Sequence, residues 1–287
     1  MPSLLYLPGV LARVLWSLTL LGVTLAALGL RLLAAPSGES IRTAVAPAPG
    51  GSAYEATANR GLVVFGPRGE RRTVASLPTR SPLALAAGDI LVLGAADGVF
   101  TSEAGAGWVR AALPGNHFLA VATRGERVAA ASWAGGLWLS DDRGRTWRRS
   151  PLPEGDIEVT SISLGDPDLV GTLLGVLSSH DGGGTWTQAV GVPGRITAVD
   201  RDGEALMAAA WAGQTYRSDS AGGWSRGAGR RPGIWAISAP ADAVATTDGL
   251  YLKGVHRLRG REVTGLAFSD RYLYAFQAGG GVSVFKV

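Results

Sequence analysis

Cysteine is missing from all 287 residues of the chain. Its absence excludes disulfide bonds, a thiol nucleophile, a lipid anchor on a lipobox cysteine, and any thiolate metal site. Lysine is nearly absent too: Lys253 and Lys286 stand alone, and arginine carries almost all the positive charge. Charged residues make up only 17% and the net charge is a modest +4, with no basic stripe of the kind that grips nucleic acid. The three histidines, His117, His180 and His256, are scattered rather than spaced as a metal cluster. Glycine, by contrast, is abundant. The 42 glycines follow no triplet period, so collagen is excluded. Many sit beside Asp, Ser or Trp between short apolar runs, which is the turn chemistry of an all-β protein. With 46% apolar residues the chain can bury a substantial core.

One long hydrophobic run breaks this pattern. From Val14 to Leu30 the sequence "VLWSLTLLGVTLAALGL" carries no charge and is bracketed by Arg13 and Arg31. Extended through "LLAA", it approaches the roughly 20 residues that a helical membrane span needs, with Arg31 able to snorkel. A cleaved signal peptide would have a shorter apolar region and a small-x-small cleavage site. Here Leu33-Ala34-Ala35 runs into Pro36, a poor cleavage context. The expected organisation is therefore an N-terminal segment (1–13), an uncleaved transmembrane helix (14–35), a Pro/Gly/Ser linker (36–40) and a body (41–287). One arginine on each side gives almost no orientation bias. A short N-terminus usually remains in the cytoplasm, so the body is expected on the extracytoplasmic side.

The body repeats itself. Trp108, Trp147, Trp186 and Trp224 are spaced by 39, 39 and 38 residues, and a related octet precedes each. Two copies are complete, "SDDRGRTW" (140–147) and "SHDGGGTW" (179–186). The first, "TSEAGAGW" (101–108), carries Glu103 for Asp and Gly107 for Thr. The last, "SDSAGGW" (218–224), is one residue short and reads as having lost the carboxylate. Periods of 20–50 residues indicate solenoids, propellers or arrays. Residues 196–229 read as four short strands, "ITAVD", "ALMAAAW", "TYRSD" and "GWSRGA". Four strands in about 40 residues is the unit of a β-propeller blade.

The complete octets resemble the Asp-box, or BNR, repeat of sialidases, sortilin-type receptors and related propellers. The resemblance rests on Ser140, Asp142, Gly144, Thr146 and Trp147, and on Ser179, Asp181, Gly183, Thr185 and Trp186. It implies that each octet is the hairpin between the third and fourth strands of a blade, a structural staple rather than a catalytic or metal site. The chemistry agrees: short Asp and Ser side chains accept turn N–H groups, Gly supplies positive φ, and Trp packs between blades.

Counting units gives complete blades at 79–114, 115–153, 154–193 and 194–232, a shorter one at 233–260, and three strands at 261–287. "IRTAVAP" (41–47) is expected to return as an outer strand beside "VSVFKV" and close the ring, leaving 52–78 as an abbreviated first blade. The expected fold is an all-β, seven-bladed propeller behind one N-terminal helix. Six blades is the alternative, if the N-terminal strands and the last three merge.

In the blade topology implied by the resemblance, the loops from strand two to three and from strand four to the next blade share one face, opposite the octets. The first set offers Arg60, Asp97, Trp133, Trp211, Asp248 and Gln277. The second offers Arg80, His117, Glu154, Asp156, Arg195, Arg230, Arg231 and Arg261. Trp133 and Trp211 stand in the matching phrases "AAASWAGG" and "AAAWAGQ"; they either cap blade packing or present themselves to a partner at the mouth of the ring. Arginines there are either a solvated rim or, together, a bidentate acceptor for carboxylates.

Catalysis has little to stand on. The arginine triad and Tyr–Glu pair of sialidases are not found: Arg42 lacks the following Ile-Pro, and Tyr216, Tyr251, Tyr272 and Tyr274 have no placed glutamate. A carboxylate pair for glycoside hydrolysis can be drawn from Glu154 and Asp156, but neighbouring positions on one exposed loop make a weak case. No cofactor, metal or nucleic acid is expected. The repeat region resembles the photosystem II stability and assembly factor family, which implies a scaffold holding a membrane protein through an arginine-bearing face. The expected function is thus a membrane-anchored, non-catalytic propeller that binds protein, as an assembly factor or accessory subunit of a membrane protein complex. The alternative is a carbohydrate-active protein, a divergent sialidase-like hydrolase or a lectin.

Overall fold

The computed structural model describes residues 42–287 apart from positions 104, 106, 134, 135, 154, 220, 221 and 232, and of Arg42 and Thr43 only the backbone. The helix expected at 14–35 and its linker lie outside the described residues. Among the described residues no helix is long and apolar enough to cross a membrane.

Seven antiparallel sheets follow one another along the chain, each with its strands in sequence order. Blade 1 holds β1 (Arg42–Ala48), β2 (Ser52–Thr57), β3 (Gly61–Phe65) and β4 (Arg71–Ala75). Blade 2 holds β5 (Pro82–Ala87), β6 (Leu91–Ala95), β7 (Gly98–Ser102) and β8 (Val109–Arg110). Blade 3 holds β9 (Phe118–Arg124), β10 (Arg127–Ser132), β11 (Leu137–Ser140) and β12 (Arg148–Ser150). Blade 4 holds β13 (Val159–Ser163), β14 (Asp168–Thr172), β15 (Gly175–Ser179) and β16 (Thr187–Pro193). Blade 5 holds β17 (Ile196–Asp202), β18 (Ala205–Ala210), β19 (Thr215–Ser218) and β20 (Trp224–Arg226). Blade 6 holds β21 (Ile234–Ser238), β22 (Ala243–Thr246), β23 (Gly249–Leu252) and β24 (Val255–Arg257). Blade 7 holds β25 (Val263–Ser269), β26 (Tyr272–Gln277) and β27 (Val282–Lys286). The innermost strands β1, β5, β9, β13, β17, β21 and β25 touch in succession, and β25 meets β1, so the ring is closed.

Each strand's place in the blade can be read from its side chains. The second strands lie between neighbouring blades and are buried on both faces, so they read as continuous small apolar runs, "VAAA" in β10 and "LMAAA" in β18. Outer strands face water. Among the described residues five of the six carry arginine, which blunts an unpaired edge: Arg71 and Arg72, Arg110, Arg148 and Arg149, Arg226, and Arg257. The exception is β16, "TQAVGVP", where pairing jumps from Leu177↔Gln188 to Gly175↔Pro193. There a bulge disrupts the edge in place of charge.

The ring closes differently from the sequence expectation. The stretch 41–47 does not return beside β27: β1 pairs with β2, as in Ala46↔Tyr54 and Ala48↔Ser52, and is the innermost strand of blade 1. Its alternate alanines Ala44, Ala46 and Ala48 are buried, and their small side chains suit the crowded centre where inner strands meet. Blade 1 is consequently complete rather than abbreviated, and blade 7 has three strands among the described residues. Packing makes the closure instead. Ala53, Val63 and Phe65 of blade 1 interlock with Ala267, Tyr274 and Phe276 of blade 7, with Phe65 and Phe276 edge-to-face at 5.7 Å. The Tyr274 hydroxyl donates to the Gly51 carbonyl at 2.6 Å, and the Ser269 hydroxyl to that of Ala48 at 2.6 Å. Burial pushes the Tyr274 phenol up to about 12, so it remains a donor.

Between blades 3 and 4 a buried ion pair adds direction to packing. Arg127 grips Asp168 with two bonds of 2.9 and 2.6 Å, and the fully buried carboxylate also accepts the Gly165 N–H at 2.8 Å. The hydrogen bonds to Asp168 raise the Arg127 pKa against the opposing effect of burial.

Candidate functional site

The complete octets lie between β11 and β12 and between β15 and β16, third to fourth strand, and each folds onto itself. The Asp142 carboxylate accepts the N–H groups of Arg145 (3.0 Å) and Thr146 (2.8 Å) and the hydroxyls of Thr146 (2.6 Å) and Ser140 (2.8 Å). Asp181 repeats the set with Gly184 (2.9 Å), Thr185 (2.8 Å for both N–H and hydroxyl) and Ser179 (2.8 Å). Ser140 and Ser179 accept the N–H of Gly144 and Gly183, each at 2.8 Å. Those glycines have φ of 82° and 86°, a conformation costly for any other residue. Hydrogen bonds from Thr146 and Ser140 lower Asp142 to about 2, and those from Thr185 and Ser179 lower Asp181. The two carboxylates are thus committed to separate turns, each within its own octet.

The indoles bind the turns to the fold. Trp147 donates to the Gly144 carbonyl at 2.9 Å. Trp186 is buried and donates to Ser150 Oγ of the preceding blade at 2.8 Å, and Ser150 donates on to the Gly183 carbonyl at 2.5 Å. The short fourth copy departs from expectation. It keeps a working carboxylate: Asp219, one residue earlier than in the complete octets, accepts the Gly223 N–H at 2.8 Å, while its own N–H donates to the Gly223 carbonyl at 2.8 Å. Removing one residue from the turn moves the capping position forward by one.

On the other face, the two sets of loops expected to meet do so through one recurring bond. In five of the blades the residue after the second strand donates its N–H to the connector from the preceding blade: Ala96 to Ser81, Trp133 to His117, Trp211 to Arg195, Thr247 to Gly233 and Ala278 to Glu262, at 2.9–3.0 Å. This fixes the inner loops against the connectors. We call this the connector face.

Several candidate residues there are tied into the scaffold. Asp97 accepts the Thr79 hydroxyl at 2.7 Å, and its carbonyl accepts Arg110. Asp156 pairs with Arg149, while Glu154, its expected partner in a carboxylate pair, lies outside the described residues. The exposed Asp248 offers its carbonyl to His256 at 3.1 Å, and His256 stacks on Tyr251 at 4.3 Å. Gln277 is buried and accepts from Arg261 at 3.3 Å. Arg60 is half-buried in the β2–β3 turn, and Arg80 is exposed in the β4–β5 connector.

Trp133 and Trp211 are both exposed, each in a small cluster. Trp133 stands edge-to-face with the His117 ring at 6.4 Å and donates its indole N–H to Glu158 at 3.0 Å. Trp211 stands edge-to-face on Trp235 at 5.2 Å, with the Arg195 guanidinium 5.8 Å from its ring. Beside it an open depression of about 580 Å³ is lined by Trp211, Ala212, Arg230, Arg231 and Gly233. Arg230 is held by a 2.6 Å bond to the Ala212 carbonyl, and the Arg231 guanidinium lies 4.8 Å from the Tyr251 ring. Sequence reading missed Trp235 and the two carboxylates, Glu158 and Glu262, that fix indole N–H groups; Glu262 accepts from Trp235 at 2.9 Å. A signal existed for Trp235. At its position, second in the inner strand, the other complete blades carry Thr43, Leu83, Leu119, Thr160 and Thr197. Among the described residues no three His, Asp or Glu side chains gather in a way that would hold a metal ion.

No protein-family model matches the chain, and no curated protein matches its sequence. Solved structures do match. The computationally designed Ika8 protein aligns with a TM-score of 0.64 and 20% identity, over 88% of this chain and 86% of that one. YCF48 bound to D1 peptide aligns with a TM-score of 0.63 and 11% identity, over 86% and 92%. BamB from Moraxella catarrhalis aligns with a TM-score of 0.58 and 17% identity, over 87% and 86%. At these identities the likeness speaks to the fold alone.

Proposed function

We propose that this chain is a non-catalytic β-propeller that binds protein through its connector face, as a scaffold, assembly factor or accessory subunit of a membrane protein complex. One observation carries the reading: Trp133 and Trp211 are presented to solvent on that face, with the exposed Arg195 and Arg230 beside Trp211. Their N–H positions are locked by the recurring loop bond, so the rings are presented on a rigid frame. Indole and guanidinium groups are the side chains most often found carrying binding energy in interfaces. YCF48 bound to D1 peptide is an instance of a similar fold holding a protein segment.

The octets, in this reading, are Asp-boxes in a structural role, and residues 14–35 anchor the propeller on the extracytoplasmic side of a membrane. Changing Trp133, Trp211 and Arg195 to alanine together should abolish co-purification of a membrane partner from native membranes while the melting temperature holds. Undiminished recovery of that partner by the triple variant would refute the assigned face.

A further inference from the structure

The blade topology gives one equivalent position in every blade, the residue directly after the second strand, and in five blades it makes the recurring loop bond. In blades 1, 2, 6 and 7 it is small or polar: Ala58, Ala96, Thr247 and Ala278. In three successive blades it is large and apolar: Trp133, Leu173 and Trp211. These are 39%, 36% and 43% exposed, and blade 4 adds Leu174 at 51% and Val190 at 88%. Leu174 and Val190 line one open depression of about 340 Å³ along β16. Val190 owes its exposure to the bulge that interrupts β16, a device that re-aims side chains. Among the described residues only Val109 and Val255 are comparably exposed large apolar side chains elsewhere. The apolar surface is concentrated, not scattered.

Polar chemistry along this arc has a direction. At blade 3 the Trp133 indole N–H is already taken by Glu158, so the ring offers apolar surface rather than a donor. At the blade 5 end the charge is positive: Arg195 by Trp211, then Arg230 and Arg231 lining the larger depression. The buried Arg231 Nε has no hydrogen-bond partner among the described residues.

We infer that blades 3 to 5 form a docking arc for an amphipathic segment of a partner protein. Its apolar side chains lie along Trp133, Leu173, Leu174, Val190 and Trp211, and an acidic group at one end meets Arg195 and Arg230. Charge complementarity selects this occupant over a basic or uncharged segment. The inference rests on protein binding at the connector face and adds the chemistry and polarity of the ligand.

The test uses the full chain in detergent and a randomised peptide library displayed on phage. Enriched peptides should combine Leu, Phe or Trp anchors with Asp or Glu toward one end. Synthesised and measured by fluorescence anisotropy, they should bind the Leu174→Ser/Val190→Ser double variant about tenfold or more weakly. Arg230→Glu should weaken them further and favour copies whose acidic residues are replaced by lysine. Both changes fall on exposed side chains, so the melting temperature should barely move. Binding that ignores Leu174→Ser/Val190→Ser yet falls with Trp133→Ala and Trp211→Ala would overturn the arc and leave the connector face standing. Binding indifferent to all of these changes would overturn both, and a selection yielding no peptide, or only basic ones, would overturn the arc.

Discussion

Replacing Ser150 with alanine should destabilise the propeller by far more than the loss of one surface hydroxyl would. Ser150 Oγ is buried and does two jobs, accepting from Trp186 Nε1 at 2.8 Å and donating to the Gly183 carbonyl at 2.5 Å. Alanine leaves a buried indole N–H and a carbonyl without that partner, at about 1–3 kcal/mol for each unsatisfied group. The sum is about 2–6 kcal/mol, and relaxation or an entering water brings the net cost to about 2–4 kcal/mol. A body of this size shifts its melting temperature by about 2–4 °C per kcal/mol, so a fall of about 5–15 °C is expected by circular dichroism. Trp186→Phe removes the N–H that Ser150 satisfies. In that background Ser150→Ala should cost about 1–2 kcal/mol less, a coupling read from the double-mutant cycle. A fall below about 1 °C for Ser150→Ala, or no coupling to Trp186, would refute the idea that the second octet is fastened to the preceding blade through this hydroxyl.

Asp142 and Asp181 have folded pKa values below the ordinary 3.8, Asp142 at about 2, so their contribution is complete above 3.8 and is lost as pH falls through that window. The Asp142→Asn/Asp181→Asn variant should therefore melt lower at neutral pH and lose less than the parent between pH of about 4 and 2; equal losses would exclude the octets as the titrating elements. Tyr274→Phe removes the bond to Gly51 across the closing interface and should cost about 1–2 kcal/mol in urea unfolding, without changing the buried apolar contacts. Gly94→Ala would place a Cβ 2.6 Å from the Phe118 carbonyl of the next blade, so β6 and β9 must move apart, at a cost of about 1–3 kcal/mol by the same assay.

What the sequence disclosed was what repeats. Four tryptophans at a near-constant period and the octets before them fixed the blade unit, and the proline-bounded segments fall close to the observed blades. The closure was misread because "IRTAVAP" has the alternation of any β-strand, and nothing local distinguishes an innermost strand from an outer one. The distinguishing feature is what surrounds it: alanines suit the crowded centre, whereas arginines mark five of the six outer edges. Asp219 was overlooked for a related reason, since a turn shortened by one residue moves the capping carboxylate out of the motif's spacing. Trp133 and Trp211 were visible as matching phrases. Leu173 and Leu174 were not, because "TLLG" looks like strand continuation until the blades are superposed. The carboxylates Glu158 and Glu262 reach their indoles across sequence separations of 25 and 27 residues, which no local pattern encodes.

Site-specific photo-crosslinking in native membranes tests the central claim most directly. A photoreactive residue placed at Val190 or Leu174 on the arc should capture a protein partner, while one at Arg145 or Gly182 in the octet turns should not. Capture from the octet positions, with none from blades 3 to 5, would contradict the account.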